Sequence, residues 1–132
     1  MPSDPAGVLC DIEQHIALAI EFVAGFDYQA FHEDTRTVYA VTRCLEIVSE
    51  ASRRLPDDLK ARHPSIPWKD IAGAGNIYRH DYEDVAARVV WDTVQLALPH
   101  LQSVVSQELE LLSGSADPEG ASPGTNRLTA ES

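Results

Sequence analysis

Apolar side chains recur every three or four residues in three long segments of the chain, which is the spacing of one buried face of an α-helix. Polar and charged residues fill the positions between them, so each segment predicts an amphipathic helix with one face toward a shared core. The three apolar stripes comprise Leu9, Ile12, Ile16, Ile20 and Val23, then Val38, Val41, Leu45, Val48 and Leu55, and finally Trp91, Val94, Leu98, Leu101, Val105, Leu109 and Leu112.

Glycine, proline and aspartate mark the predicted ends of these helices. The first helix should end at Gly25, while Asp27 and Asp34 are suited to cap a short turn and the second long helix. Pro56 should stop that second helix, because proline cannot continue the hydrogen-bond ladder. For the same reason Pro99 should bend or split the third helix.

Two shorter helices are predicted between the long ones, over residues 57–62 and 68–78, and no segment shows the alternation of a strand. The predicted fold class is therefore all-α, an up-and-down helical bundle of three long and one or two short helices. Residues 1–8 are an N-terminal extension and residues 9–112 form the bundle. Residues 113–132 are rich in Gly, Ser and Pro, which predicts a disordered tail.

The third helix carries apolar residues away from its main stripe, namely Leu96, Val104 and Leu111. A second apolar face of this kind indicates a homodimer, because surface that one subunit leaves uncovered can be buried against another copy. The alternative is that a bent helix uses both of its faces within one subunit.

The composition is that of a soluble protein. Apolar residues make up 44% of the 132 residues, and no apolar run approaches the roughly 18 residues needed to span a bilayer. The N-terminus lacks the layout of a secretion signal, so a cytoplasmic location is expected. Cys10 and Cys44 are expected to face inward as small buried hydrophobes rather than to form a disulfide.

The formal net charge of −11 argues against a general nucleic-acid binder, which normally presents a basic surface to the phosphate backbone. A role on RNA would need a local concentration of positive charge, completed by a second subunit or a basic partner protein. Such a concentration is possible in one segment, which holds Arg36, Arg43, Arg53 and Arg54.

The stretch GNIYRHDY, residues 75–82, holds the candidate chemistry. Asn76 and His80 are four residues apart, so on a continuous helix both side chains emerge on one face and can contact one ligand. The imidazole could take the 2′-hydroxyl proton of RNA or protonate the leaving 5′-oxygen without a metal, while amide and guanidinium donors hold the phosphate. Alternatively, His80 only satisfies carbonyl groups at the end of a helix.

Three segments resemble the HepT-like family of the HEPN superfamily over about residues 9–112, namely RTVYAVTRCLEIVSEASRRLP, IPWKDIAGAGNIYRHDYEDV and VVWDTVQLALPHLQSVV. The resemblance implies a dimeric helical bundle whose two motifs face each other across a shared cleft. It also implies a metal-independent endoribonuclease that serves as the toxin of a toxin–antitoxin pair. The antitoxin would be a small nucleotidyltransferase that inactivates the toxin by adding AMP to the motif tyrosine.

The family motif is an arginine, then a histidine after four to six residues, with a tyrosine two positions further on. The resemblance makes His80 the histidine, Tyr82 the tyrosine that accepts AMP, and Asn76 the asparagine that usually follows the arginine. The arginine itself is replaced by Gly75. Arg79 lies four residues later on the same predicted face, where it either supplies the missing guanidinium or pairs with a neighbouring acid.

The second long helix carries a polar line beside its apolar stripe, formed by Arg36, Arg43, Glu46 and Glu50. Such a line is commonly a solvated face whose charges pair with one another. In a dimer cleft the same residues could bind RNA, with Arg36 and Arg43 holding phosphates and Glu46 or Glu50 orienting His80.

No cofactor and no metal are expected, because His15, His32, His63 and His100 show no spacing that would cluster them as ligands. Three functions remain open. The favoured one is a HepT-like ribonuclease that acts through the motif. The others are a HEPN module that has lost cleavage with its arginine and binds a nucleotide or partner protein, and a purely structural dimer.

Overall fold

The structure is a computed structural model that describes the backbone of residues 4–73 and 83–116, and the side chains of residues 4–73 and 86–114. Within these residues the chain is helical and contains no strand, which confirms the predicted all-α bundle. The elements are α1 (Pro5–Val23), α2 (Tyr28–Glu33), α3 (Thr35–Arg53), α4 (Asp57–Ala61), α5 (residues 68–73), α6 (Glu83–Asp92), a π-helical turn (Thr93–Ala97) and α7 (Leu98–Ala116).

Three long helical rods make up most of the bundle, as predicted. α1 and α3 contain 19 residues each, and α6, the π-helical turn and α7 follow one another without a break. α1 packs against α3 and α7, whereas α6 packs against α2 and α3. No helix in the described part of the chain is long and apolar enough to cross a membrane. α5 covers the start of the helix predicted over residues 68–78, and its remainder lies outside the described residues.

The turns at both ends of α2 are fixed by short side chains. Gly25 follows the end of α1 with φ of 84°, a left-handed conformation that glycine adopts without steric cost. Asp27 accepts a hydrogen bond from the backbone N–H of Ala30 at 2.8 Å, and Asp34 accepts one from Thr37 at 3.2 Å. Each carboxylate thereby satisfies a helix N–H that has no partner within its own helix, as the sequence predicts.

The core lies between the apolar faces of α1, α3 and the last rod, with Phe31 of α2 also fully buried. Burying one such aliphatic or aromatic side chain contributes about 1.5–3 kcal/mol, so these positions dominate the stability of the bundle. The side chains that are buried completely or almost completely include Leu9, Ile12, Ile16, Val41, Val48, Val90, Leu98, Leu101 and Val105.

The two cysteines differ in their surroundings. Cys44 is buried, as predicted, and burial raises the pKa of its thiol. Cys10 is exposed, so the prediction that it faces inward is wrong. Because Cys10 follows the buried Leu9 by one residue, it points about 100° away from the core around the helix.

The three apolar residues away from the main stripe also divide. Val104 is 6% exposed and packs inside its own subunit, which is the alternative that the sequence left open. Leu96 and Leu111 are 77% and 58% exposed, so these two apolar side chains stay uncovered on the last rod. Homodimerisation through the last rod stays a prediction.

The last rod changes its hydrogen-bonding pattern just before Pro99. The N–H of Leu98 bonds to the carbonyl of Thr93, five residues back, which is the spacing of a π-helix. Thr93 also bonds through its hydroxyl to the carbonyl of Val89 at 2.7 Å, a contact that bends helices. The helix therefore absorbs Pro99 by widening one turn instead of splitting.

Candidate functional site

The residues predicted to act on RNA fall into two groups. The motif residues, which are the catalytic candidates Asn76, Arg79 and His80 and the AMP acceptor Tyr82, lie outside the described residues. The predicted RNA-binding and orienting residues lie on α3 and are all described, namely Arg36, Arg43, Glu46 and Glu50. The part of the candidate site that the structure describes is therefore α3 and the elements that lead from it toward the motif.

One solvent-facing strip runs along α3, and we call it the α3 strip. Its members, spaced by three or four positions so that they project from one side of the helix, are Arg36, Tyr39, Arg43, Glu46 and Glu50. The polar line predicted from the sequence does not include Tyr39, because a tyrosine is counted as apolar in such a pattern. The feature of the sequence that could have identified Tyr39 is its position among charged residues at helical spacing. In the structure its side chain is 65% exposed.

Both glutamates of the α3 strip are engaged with arginines on their own helix. Arg43 Nη1 lies 3.3 Å from Glu46 Oε1, and Arg53 Nη1 lies 2.8 Å from Glu50 Oε1. The Arg43 side chain is nevertheless 72% exposed, and exposed pairs of this kind contribute about 1 kcal/mol or less. Arg43 can therefore exchange its partner for a phosphate at little cost. Whether either glutamate orients His80 stays a prediction.

α3 is tied to the segment that leads into the motif. The carbonyl oxygen of Ala72 in α5 accepts hydrogen bonds from Ser49 Oγ at 2.8 Å and from Arg53 Nη2. Ser49 is buried, and this hydrogen bond satisfies its hydroxyl, which would otherwise be costly to shield from water. Ala72 precedes Asn76 by four residues. The Glu50 end of the α3 strip thus lies beside the chain that enters the motif.

A surface cavity of about 210 Å³ lies between α5 and the π-helical turn. Two of its lining residues are carboxylates, Asp70 and Asp92, and Asp92 pairs with Arg88 at 3.3 Å. The described lining residues include no arginine or lysine, whereas the α3 strip carries two exposed arginines, so this cavity suits RNA phosphates less well than the α3 strip does. Its remaining lining residues are Pro67, Ile71, Thr93 and Ala97.

The most buried ionic cluster in the described residues is one that the sequence pattern does not reveal. Glu108 of α7 has a side chain that is 4% exposed and accepts hydrogen bonds from Arg62 at 2.7 Å and His63 at 2.6 Å. The hydrogen bond from Arg62 lowers the pKa of the Glu108 carboxyl most, burial opposes this, and the hydrogen bond from His63 lowers it further. The cluster holds the segment after α4 against α7.

This cluster is a structural tie between two segments of the bundle. It contains one carboxylate and one imidazole. No group of three or more His, Cys, Asp or Glu side chains that could hold a metal occurs among the residues whose side chains are described.

Arg88 and Tyr28 are another basic and aromatic pair, but their side chains already contact each other within the bundle. The guanidinium of Arg88 lies 4.5 Å from the centroid of the Tyr28 ring, which is a cation–π contact. The same ring meets Trp91 edge-on, with 6.0 Å between centroids. Tyr28 is thus occupied within the bundle, in contrast to Tyr39.

Comparison with known proteins gives a family for this chain. The family described as Ribonuclease HepT-like matches residues 12–108, a span that includes α3, the motif and most of α7. Comparison with solved structures found no match.

Several curated proteins are similar to this chain over most of their own length. The "Probable ribonuclease HepT" of Thermococcus cleftensis is 40% identical over 92 residues, which are 70% of this chain and 84% of that protein. The "Putative RNase TTE0752" of Caldanaerobacter subterraneus subsp. tengcongensis is 34% identical over 106 residues, covering 80% and 95%. The "Putative RNase MJ1216" of Methanocaldococcus jannaschii is 30% identical over 111 residues, covering 84% and 92%. With a family match over most of the helical bundle and relatives of this similarity, the chain belongs to the Ribonuclease HepT-like family.

Proposed function

We propose that this protein is a metal-independent endoribonuclease that cleaves RNA through His80 in a cleft shared by two subunits. The single observation that carries the proposal is the family match over residues 12–108, because that span contains both the α3 strip and the sequence N-x-x-x-H-x-Y from Asn76 to Tyr82. The proposal extends to this chain the activity that the names of its relatives state.

The reaction would be a transesterification at phosphorus. One imidazole takes the proton of the 2′-hydroxyl, the 2′-oxygen forms a bond to phosphorus, and the bond to the 5′-oxygen breaks. The 5′-oxygen leaves with a proton from an imidazolium, which the second subunit supplies. Asn76 positions the phosphate, and Arg79 replaces the guanidinium that Gly75 lacks, so that negative charge on the phosphate oxygens is stabilised as it builds.

The α3 strip would hold the rest of the substrate. Arg36 and Arg43 contact phosphates, and Glu46 or Glu50 orients His80 from across the cleft. The support for this assignment is the exposure of both arginines and the bonds that join α3 to Ala72, just upstream of the motif.

The biological role would be that of a toxin in a toxin–antitoxin pair. A nucleotidyltransferase-type antitoxin would neutralise the enzyme by adding AMP to Tyr82, and both proteins would act in the cytoplasm. An adenylyl group two residues from His80 adds bulk and negative charge at the reacting phosphate, so it would block RNA binding.

The proposal is tested by comparing purified wild type with His80→Ala on RNA in the presence of a metal chelator. We expect the variant to lose cleavage about a hundredfold to ten-thousandfold, the contribution of a general acid or base. His100→Ala is the matched control, because His100 is exposed on α7, where its ring lies 3.4 Å from Ser65 Oγ. Equal, non-zero cleavage by wild type and His80→Ala would remove His80 from the mechanism.

A second function is favoured by one specific observation, the glycine at position 75. Without the family's arginine, a HEPN module could bind RNA, a nucleotide or a partner protein without cleaving anything. The same experiment separates the two functions, since this module would show no cleavage with either the wild type or the variants.

A further inference from the structure

Tyr39 is the most exposed aromatic side chain in the described part of the chain, and both of its neighbours along the α3 strip are arginines. Arg36 precedes it by three residues and Arg43 follows it by four, which places all three side chains on one side of α3. A ring that is 65% exposed contributes little to the core. Its position between two cations is therefore better explained by a ligand than by folding.

The charges beside Tyr39 are available. Arg36 makes no ion pair with another described side chain, and Arg43 is held only by the exposed contact to Glu46. Along a helix axis Arg36 and Arg43 are about 10.5 Å apart, at 1.5 Å per residue. Along the helix the two arginines therefore lie on either side of Tyr39, and 65% of the Tyr39 side chain is open to a ligand.

We propose that Tyr39 stacks on an unpaired base of RNA while Arg36 and Arg43 contact the phosphates on either side of that nucleotide. The inference rests on the proposed function and narrows its substrate to single-stranded RNA. In a duplex the base faces are covered by their neighbours, so only a splayed-out base can lie on an aromatic ring.

The acidic character of the protein favours a contact to RNA that does not rely on charge. With a net charge of −11, two arginines alone give a weak electrostatic attraction for a polyanion. Stacking on an aromatic ring does not depend on net charge and is tolerant of base identity. The α3 strip should therefore select for unpaired structure more than for sequence.

The position of the strip suits a role in placing the substrate. Its Glu50 end is beside Arg53, which together with Ser49 holds Ala72 of α5, and the motif begins shortly after that residue. A strand bound over Tyr39 would run along α3 toward this junction. Tyr39 is accordingly a specificity residue that positions RNA, and it takes no part in the chemical step.

The test measures binding to RNA that cannot be cleaved. Fluorescent oligonucleotides with 2′-O-methyl riboses, one single-stranded and one duplex, are titrated with wild type, Tyr39→Ala and Tyr39→Phe. Phe22→Ala is the matched control, because Phe22 is also an exposed aromatic residue but lies on α1. Thermal unfolding checks that each variant folds, which the exposure of both rings favours.

We expect Tyr39→Ala to weaken single-strand binding about fivefold to a hundredfold, the range for one base stacked on an aromatic ring. Tyr39→Phe keeps the ring and should bind like wild type, as should Phe22→Ala. Duplex RNA should bind more weakly and should not respond to Tyr39. Unchanged binding by Tyr39→Ala, or an equal loss with Tyr39→Phe, would overturn the stacking contact. Unchanged RNA binding with loss of a protein partner would assign the strip to that partner instead.

Cleavage of unmodified RNA separates this inference from the proposed function. If wild type binds the single strand through Tyr39 but cleaves nothing, the ribonuclease proposal fails and the stacking site stands. If wild type cleaves RNA while binding does not depend on Tyr39, the stacking site alone fails.

Discussion

Glu46 and Glu108 both accept hydrogen bonds from an arginine, and they do so in different surroundings. Glu46 of α3 pairs with Arg43, three residues away on the same helix, and the Glu46 side chain is 29% exposed. Glu108 of α7 pairs with Arg62, 46 residues away in sequence, and the Glu108 side chain is 4% exposed. A second partner, His63, bonds to Oε2 of Glu108, to which Arg62 Nε also donates at 3.4 Å.

The difference separates the part of the molecule that holds the fold from the part that can bind a ligand. The Glu108 cluster joins two distant segments, and its carboxylate is shielded from water although Arg62 is half-exposed, so breaking the cluster leaves a buried polar group without a partner. The Glu46 pair joins neighbours that are already close, in water and salt, so its loss changes the folded state little. Three predictions test this separation.

The largest effect on stability is expected at the buried glutamate. Glu108→Ala removes the acceptor of three hydrogen bonds and should lower the free energy of unfolding by about 2 kcal/mol, as for hydrogen bonds to charged groups. Urea unfolding followed by circular dichroism measures this change. Glu110→Ala is the matched control, because it removes the same charge from an exposed position on α7. Equal stability of the two variants would show that Glu108 contributes no more to the stability of the fold than an exposed glutamate does.

A smaller effect should appear as the pH falls. The pKa of Glu108 is lower in the folded protein than its ordinary value, so its ionised form contributes stability above the unfolded-state pKa. This contribution should decline below about pH 4.3, the ordinary glutamate pKa, and vanish below the folded-state pKa. The stability difference between wild type and Glu108→Gln, measured from pH 7 to pH 3, should therefore shrink. A difference that grows on acidification would contradict the direction of the shift.

The smallest effect on stability is expected at the exposed pair. Arg43→Ala should change the free energy of unfolding by less than about 1 kcal/mol. If Arg43 contacts a phosphate, the same variant should lower the dependence of single-strand RNA binding on salt, by about 0.7 in the logarithmic slope. Arg43→Lys retains the charge and should keep the slope. A large loss of stability with an unchanged slope would show that the Arg43–Glu46 pair holds the fold and that Arg43 does not contact a phosphate.

The sequence predicts the frame of this molecule well, because the frame depends on local rules. Helical spacing places Ile12, Val48 and Leu101 in the core, and the short acids Asp27 and Asp34 fit the N–H groups that they cap. These signals lie within a few residues of one another, so a single sequence contains them.

The features that it does not predict depend on contacts between distant segments. Glu108 lies in register with Leu101 and Val105, and a charge in an apolar stripe is a signal, but its partners come from a segment 45 and 46 residues upstream. The sequence pattern does not predict that Tyr39 is exposed, because a tyrosine is counted as apolar whether or not its ring packs in the core. Neither spacing nor composition identifies the partners of Glu108 or the exposure of Tyr39.

The π-helical turn at Thr93–Ala97 also has a consequence for how one rod serves two neighbours. A widened turn contains more residues than an α-helical one, so the azimuth of every side chain beyond it is rotated relative to those before it. The amino-terminal half, α6, meets α2 and α3, while the carboxyl-terminal half, α7, meets α1. This change of phase lets a single unbroken helix present apolar surface in two directions, which a uniform α-helix with the same sequence would not do.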